Sequence, residues 1–164
     1  MHTLRIVGSV AVALCLTACG GDDDGGGGGD SGTAVASTAL TGTIDGRPFT
    51  AVSALANSAF DDGERFVDIY DVQRGCGDFG TLPVGSRSIL FSREWKPVTQ
   101  PLSFDNNITF VVRESSGPNN IIVTRGRLEL IDTPSVAGQV GTLRLRAING
   151  NDKVEGQVSV TVCE

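Results

Sequence analysis

Apolar and polar residues alternate along most of this chain in short runs, and the runs are separated by turn residues. Residues 38–44 (TALTGTI) alternate with period 2 and stop at Asp45-Gly46, a dipeptide that favours a two-residue hairpin turn. Residues 49–60 (FTAVSALANSAF) are Ala-rich and fit strand or helix, but their position after the Asp-Gly turn favours strand. Asp61-Asp62-Gly63 reads as a turn, and 64–72 (ERFVDIYDV) reads as a returning strand. A loop at 75–80 (GCGDFG) leads to 86–94, where Ile89 and Phe91 share a face. Lys96-Pro97 and Gln100-Pro101 break the chain, 106–113 (NNITFVVR) is the next strand, and 115–120 (SSGPNN) reads as a turn.

The last third contains a near-repeat. Gly126-Arg-Leu-Glu-Leu, Gly141-Thr-Leu-Arg-Leu and Gly156-Gln-Val-Ser-Val share the pattern Gly-x-apolar-x-apolar, with glycines 15 residues apart. Period 2 puts each apolar pair on one face. The spacing suits a strand plus a turn, and three copies predict an antiparallel meander, not a solenoid. Val162 continues the inward set of Val158 and Val160, so Cys163 has the opposite parity.

About eight short strands, turns of Gly, Asn and Pro, and no amphipathic helix predict an all-β domain. An antiparallel β-sandwich is the expected architecture, with a closed β-barrel as the alternative. Aromatics make up 5% of the chain, which suits an aliphatic sandwich core better than an aromatic-lined barrel.

The N-terminus follows different rules. A short segment with one Arg (Arg5) precedes an apolar run of eleven at 6–16 (IVGSVAVALCL). That length suits a secretory signal and falls short of the ~20 residues needed to span a bilayer. The run closes in Leu16-Thr17-Ala18-Cys19. This resembles the lipobox of bacterial lipoproteins: Leu, a small residue, Ala or Gly, then Cys. The resemblance implies a signal peptide at 1–18 and diacylation (palmitate) of the Cys19 sulfur, with the Cys19 amine open to a further chain. Two or three acyl chains anchor a protein stably where one does not. Gly20, in place of Asp, follows the cysteine, which favours the outer membrane over the inner one. The domain would then face the periplasm or the surface.

Residues 19–36 form a Gly- and Asp-rich tether that cannot bury enough apolar surface to fold. As a flexible coil it would hold the domain on the order of 20–25 Å from the lipid. Residues 37–164 make one all-β domain. Its opening, 42–51 (GTIDGRPFTA), and its ending in a Cys after a Gly-initiated strand resemble small uncharacterised lipoprotein domains of Gram-negative bacteria; that resemblance implies no function.

Composition narrows the chemistry. The net charge is −6, which argues against nucleic acid as a partner and against docking of the whole body on anionic lipid. Of four cysteines, Cys15 leaves with the signal and Cys19 takes lipid, so Cys76 and Cys163 remain as a pair in an exported chain. A disulfide is the expected outcome. It would fix the 76 loop over the outer face or edge of the last strand. The single histidine is His2, so the mature chain has none. That removes Ser-His-Asp and Cys-His catalysis and His-based zinc sites.

Three groups remain as candidate sites. Pairing of the 126 and 141 segments about a loop near Val136 sets Arg127 opposite Arg146 and Glu129 opposite Arg144, with Arg125 extending the row. Such a row of Arg125, Arg127, Arg144 and Arg146 suits an anionic ligand, or is a solvated face balanced by its acids. Asp61, Asp62, Glu64, Asp68 and Asp71 offer oxygens to calcium but lack the spacing of an EF-hand. Trp95 suits a contact aromatic or a residue capping the core, and the lone Tyr70 adds little. No carboxylate pair stands out for hydrolysis, and Lys96 and Lys153 lie near turns, too solvated to activate a serine.

The expectation is a lipid-anchored envelope protein that is a non-enzymatic binding or interaction module, with no cofactor, no metal, and an envelope protein or glycan as partner. The alternatives are an accessory subunit of an envelope complex and a small carboxylate-dependent hydrolase.

Overall fold

The computed structural model describes residues 34–58, 63–78 and 80–164. They form eleven strands, with no helix among the described residues. The strands are β1 (Thr41–Ile44), β2 (Arg47–Thr50), β3 (Ser53–Ser58), β4 (Glu64–Tyr70), β5 (Arg87–Glu94), β6 (Val98–Pro101), β7 (Ile108–Glu114), β8 (Gly117–Val123), β9 (Arg125–Asp132), β10 (Val140–Asn149) and β11 (Asp152–Val162). The protein is all-β, as the alternation predicts.

The strands join in one hydrogen-bonded sheet, in the order β6-β9-β10-β11-β3-β4-β5-β7-β8, with β1 and β2 branching from β11. The sheet curls into a half-barrel around one core, so β8 comes against β10 from the far side. The facing layers expected of a sandwich are thus opposite walls of a single sheet, and its end strands, β6 and β8, leave it unclosed. One pair is parallel: Thr161 and Val162 of β11 lie beside Leu55 and Ala56 of β3.

Inward positions supply the core. Val67 and Ile69 of β4, Ile89 and Phe91 of β5, Ile108, Phe110 and Val112 of β7, and Leu143, Leu145 and Ala147 of β10 are all buried in one cluster. Alternation on a curled sheet directs every second side chain into this volume. Truncating one such Leu to Ala costs about 2–5 kcal/mol.

The Asp45-Gly46 turn joins β1 to β2, and both residues have positive φ (54° and 65°), as the mirror-image hairpin turn requires. Asp152 locks this turn from outside, its carboxylate accepting the N–H groups of Asp45 (2.8 Å) and Gly46 (2.9 Å).

Two stretches that read as breaks are strands. Only Ser115 and Ser116 form the turn expected at 115–120; β8 begins at Gly117 and carries Pro118. Gln100-Pro101 lies in β6. Proline cannot donate to a ladder, so both strands lie at sheet ends, where a proline also discourages further strand addition.

The meander of β9, β10 and β11 is antiparallel throughout. Its repeated glycines mark close crossings. A Cβ on Gly126 would lie 2.0 Å from the Arg146 carbonyl oxygen, and one on Gly156 would lie 2.5 Å from that of Ala39. Gly156 thereby admits residues 38–40, where Leu40 N–H donates to the Gln157 carbonyl (3.0 Å) and Gln157 N–H to that of Thr38 (2.7 Å).

Candidate functional site

The register of β9 on β10 builds the arginine row. Glu129 lies opposite Arg144, Arg127 opposite Arg146, and Arg125 opposite Ile148. Across β10, Arg144 faces Gln157 and Arg146 faces Glu155 of β11. All these side chains share the outer face, since the alternate positions Leu128, Leu143, Leu145 and Val154 fill the core.

The row is splinted by its own acids. Arg127 Nε contacts Glu129 Oε1 at 3.2 Å, and Arg144 Nη1 lies 3.9 Å from Glu129 Oε2. Arg144 Nε donates to Gln157 Oε1 (3.0 Å). Arg146 donates twice to Glu155 Oε1, from Nε (3.0 Å) and Nη2 (2.6 Å), and Lys153 Nζ adds a contact at 2.9 Å. The Arg146 hydrogen bond, with Lys153 assisting, holds the Glu155 carboxyl down at about 2 against the opposing effect of burial. Among the described residues, five cations (Arg125, Arg127, Arg144, Arg146, Lys153) thus share this face with three carboxylates, Glu129, Asp132 and Glu155. Arg125 is exposed at the margin.

The chain enters the domain on this same face. The Ala34 carbonyl accepts from Arg146 Nη2 at 3.4 Å, and Val35 is buried.

A second surface surrounds the disulfide. Cys76 and Cys163 are bonded (S–S 2.01 Å, Cα–Cα 5.5 Å). Cys163 is buried on the outward parity, so the bond pins the 76 loop over the outer side of the β3–β11 seam, as parity predicts. Beside it lies a groove of about 800 Å³ lined by Asn57, Ser58, Gly77, Gly138 and Glu164 with the cystine. Arg65 braces this end: its guanidinium donates to the Cys163 carbonyl (2.8 Å), the Ser58 hydroxyl (3.0 Å) and the Ser135 carbonyl (3.4 Å). Arg65 shares the inward parity of Val67 and Ile69 on β4, a signal that sequence reasoning overlooked.

Trp95 takes the edge-packing role. It is half-buried against the core, lies 3.2 Å from where a Cβ of Gly141 would be, and donates its indole N–H to the Pro134 carbonyl (2.8 Å).

The described members of the acidic group, Glu64, Asp68 and Asp71, have separate partners. Asp61 and Asp62 lie outside the described residues, as does Cys19. Glu64 accepts from the Ser92 hydroxyl (3.1 Å), and Asp71 pairs with Arg87 (3.2 Å). Asp68 lies between Leu55 and Leu90 in the sheet register; burial pushes its carboxyl up to about 6, and a hydrogen bond from Tyr70 opposes the rise. Tyr70 is pushed up to about 12 by burial and by the Asp68 charge, and Arg74 stacks 6.0 Å above its ring. Among the described residues, no three His, Cys, Asp or Glu side chains are grouped to hold a metal ion.

Comparison with protein-family models, curated proteins and solved structures finds no match to this chain.

Proposed function

We propose that this is a lipid-anchored protein of the bacterial envelope, and that its β-domain is a non-enzymatic binding or interaction module. The observation that carries the reading is Leu16-Thr17-Ala18-Cys19 closing an apolar run of eleven, followed by a Gly- and Asp-rich spacer. Two further features support it. The mature chain has no histidine. The described surface offers a charge-splinted cationic face and a groove beside a cystine, both suited to holding a partner.

Expression with globomycin, which blocks the lipoprotein signal peptidase, tests the anchor. Unprocessed precursor should accumulate, and Cys19→Ser should lose palmitate labelling. Normal processing under the drug would overturn the lipoprotein reading.

A further inference from the structure

We infer that the outer face of β9, β10 and β11 is the side of the domain that rests on the membrane, held by the phosphates of anionic lipids. The inference rests on the anchor reading above, because it needs the chain fixed near a bilayer at Cys19.

Charge is the first ground. The chain carries −6 in all, but among the described residues this face sets five cations against three carboxylates, Glu129, Asp132 and Glu155. Net charge therefore does not describe the surface that a lipid leaflet would meet. Arg127 and Arg144, with side chains 27% and 32% exposed, are already held in place by Glu129 and Gln157, so they lose little side-chain freedom on binding.

Chain entry is the second ground. Ala34 meets Arg146, Val35 is buried, and residues 38–40 bridge to Gln157. The tether leaves the domain from this face, so a chain fixed at Cys19 brings this face within reach of the leaflet. Anchoring also raises the effective concentration to the millimolar range, so weak contacts suffice.

The two lysines of the chain provide the test. Lys96 and Lys153 have side chains 60% and 56% exposed, and each pairs with one glutamate, at 2.7 and 2.9 Å. Lys96 follows Trp95, which packs at the Gly141 end of β10, whereas Lys153 pairs with Ile148 at the other end. Their relative acetylation reports whether the cationic face is covered.

The mature chain, 19–164, is coupled through the Cys19 sulfur to a maleimide lipid, which makes the test independent of acylation in cells. On vesicles containing phosphatidylglycerol, acetylation of Lys153 relative to Lys96 should fall several-fold below its value on phosphatidylcholine. Each cation near an anionic leaflet adds about fivefold to the docked population. Arg125→Glu, which changes the charge by two, should therefore release most of the protection. About 1 M salt, with a screening length near 3 Å, should do the same. An equal ratio on the two kinds of vesicle overturns the inference. So does protection on both kinds that is released by Asp→Asn at positions 22, 23, 24 and 30, which would give the face to the chain's own acidic stretch. Failure of palmitate labelling at Cys19 would remove the anchor without altering this measurement.

Discussion

Arg146 of β10 grips Glu155 of β11 through two nitrogens on one carboxylate oxygen, directly across the strand pair. Charge-assisted bonds of this kind favour the ionised acid. Glu155 consequently sits at about 2, below its ordinary 4.5. A carboxyl lowered in the folded state adds stability that is complete above about 4.5 and is lost as pH falls toward 2. Arg146→Met should cost about 1 kcal/mol at neutral pH and flatten the acid limb of the stability curve. Urea unfolding from pH 2 to 7 checks this; an unchanged acid limb would refute the pairing.

Asp68 has the opposite sign. Its carboxyl is raised to about 6, so between pH 4 and 6 the folded chain keeps a proton that the unfolded chain releases. Stability should fall as pH rises through that window, by on the order of 2–3 kcal/mol. Asp68→Asn keeps an oxygen for Tyr70 and removes the charge. The variant should lose this slope and gain stability at pH 7, as read by urea midpoints at pH 4 and 7. A variant that keeps the wild-type slope would assign the effect to another group.

Gly126 is fixed by both conformation and space. Its φ is 128°, and an added Cβ would strike the backbone of Arg146. Gly150, at φ 60°, has nothing within 4 Å of the same position. Gly126→Ala should therefore destabilise by about 3 kcal/mol or more, combining strain and overpacking. Gly150→Ala should cost about 1 kcal/mol, the ordinary penalty for a left-handed residue. Thermal melts of the two variants should separate clearly, and equal melts would show that β9 can shift away from β10.

These examples also mark how far the sequence could be read. The arginine register was legible because evenly spaced glycines and period-2 runs leave one sensible pairing of β9 with β10. The strands β6 and β8 were not legible, because Pro101 and Pro118 read as breakers unless the strand is already known to lie at a sheet end. The single curled sheet, in place of two separate ones, depends on the parallel Leu55–Thr161 contact between distant segments. The chain entry at Ala34 was equally hidden: it depends on Gly156 accepting the Ala39 carbonyl at close range. Asp68 stood on an outward parity that promised solvent, yet Leu55 and Leu90 flank it.

The disulfide gives the last prediction. Cys76 and Cys163 are separated by 87 residues, so the bond closes a loop that spans most of the domain. Restricting the unfolded chain over such a loop is worth about 4–5 kcal/mol in the chain-entropy model. In the native state the bond holds the 76 loop on the β3–β11 seam, and Arg65 grips the Cys163 carbonyl from the inward face of β4. The domain should thus lose more than half of a typical 5–15 kcal/mol margin at the lower end of that range when reduced. Because Arg65 and the Cys163 N–H bond to Ala56 persist without the sulfur bridge, the end of β11 should stay paired while the 76 loop is released. Hydrogen exchange on the Cys76→Ser/Cys163→Ser chain should show faster exchange at 74–78 and retained protection at Val160 and Val162. Exchange that quickens equally along β11 would mean that the bridge, and not the β3–β11 pairing, holds the seam together.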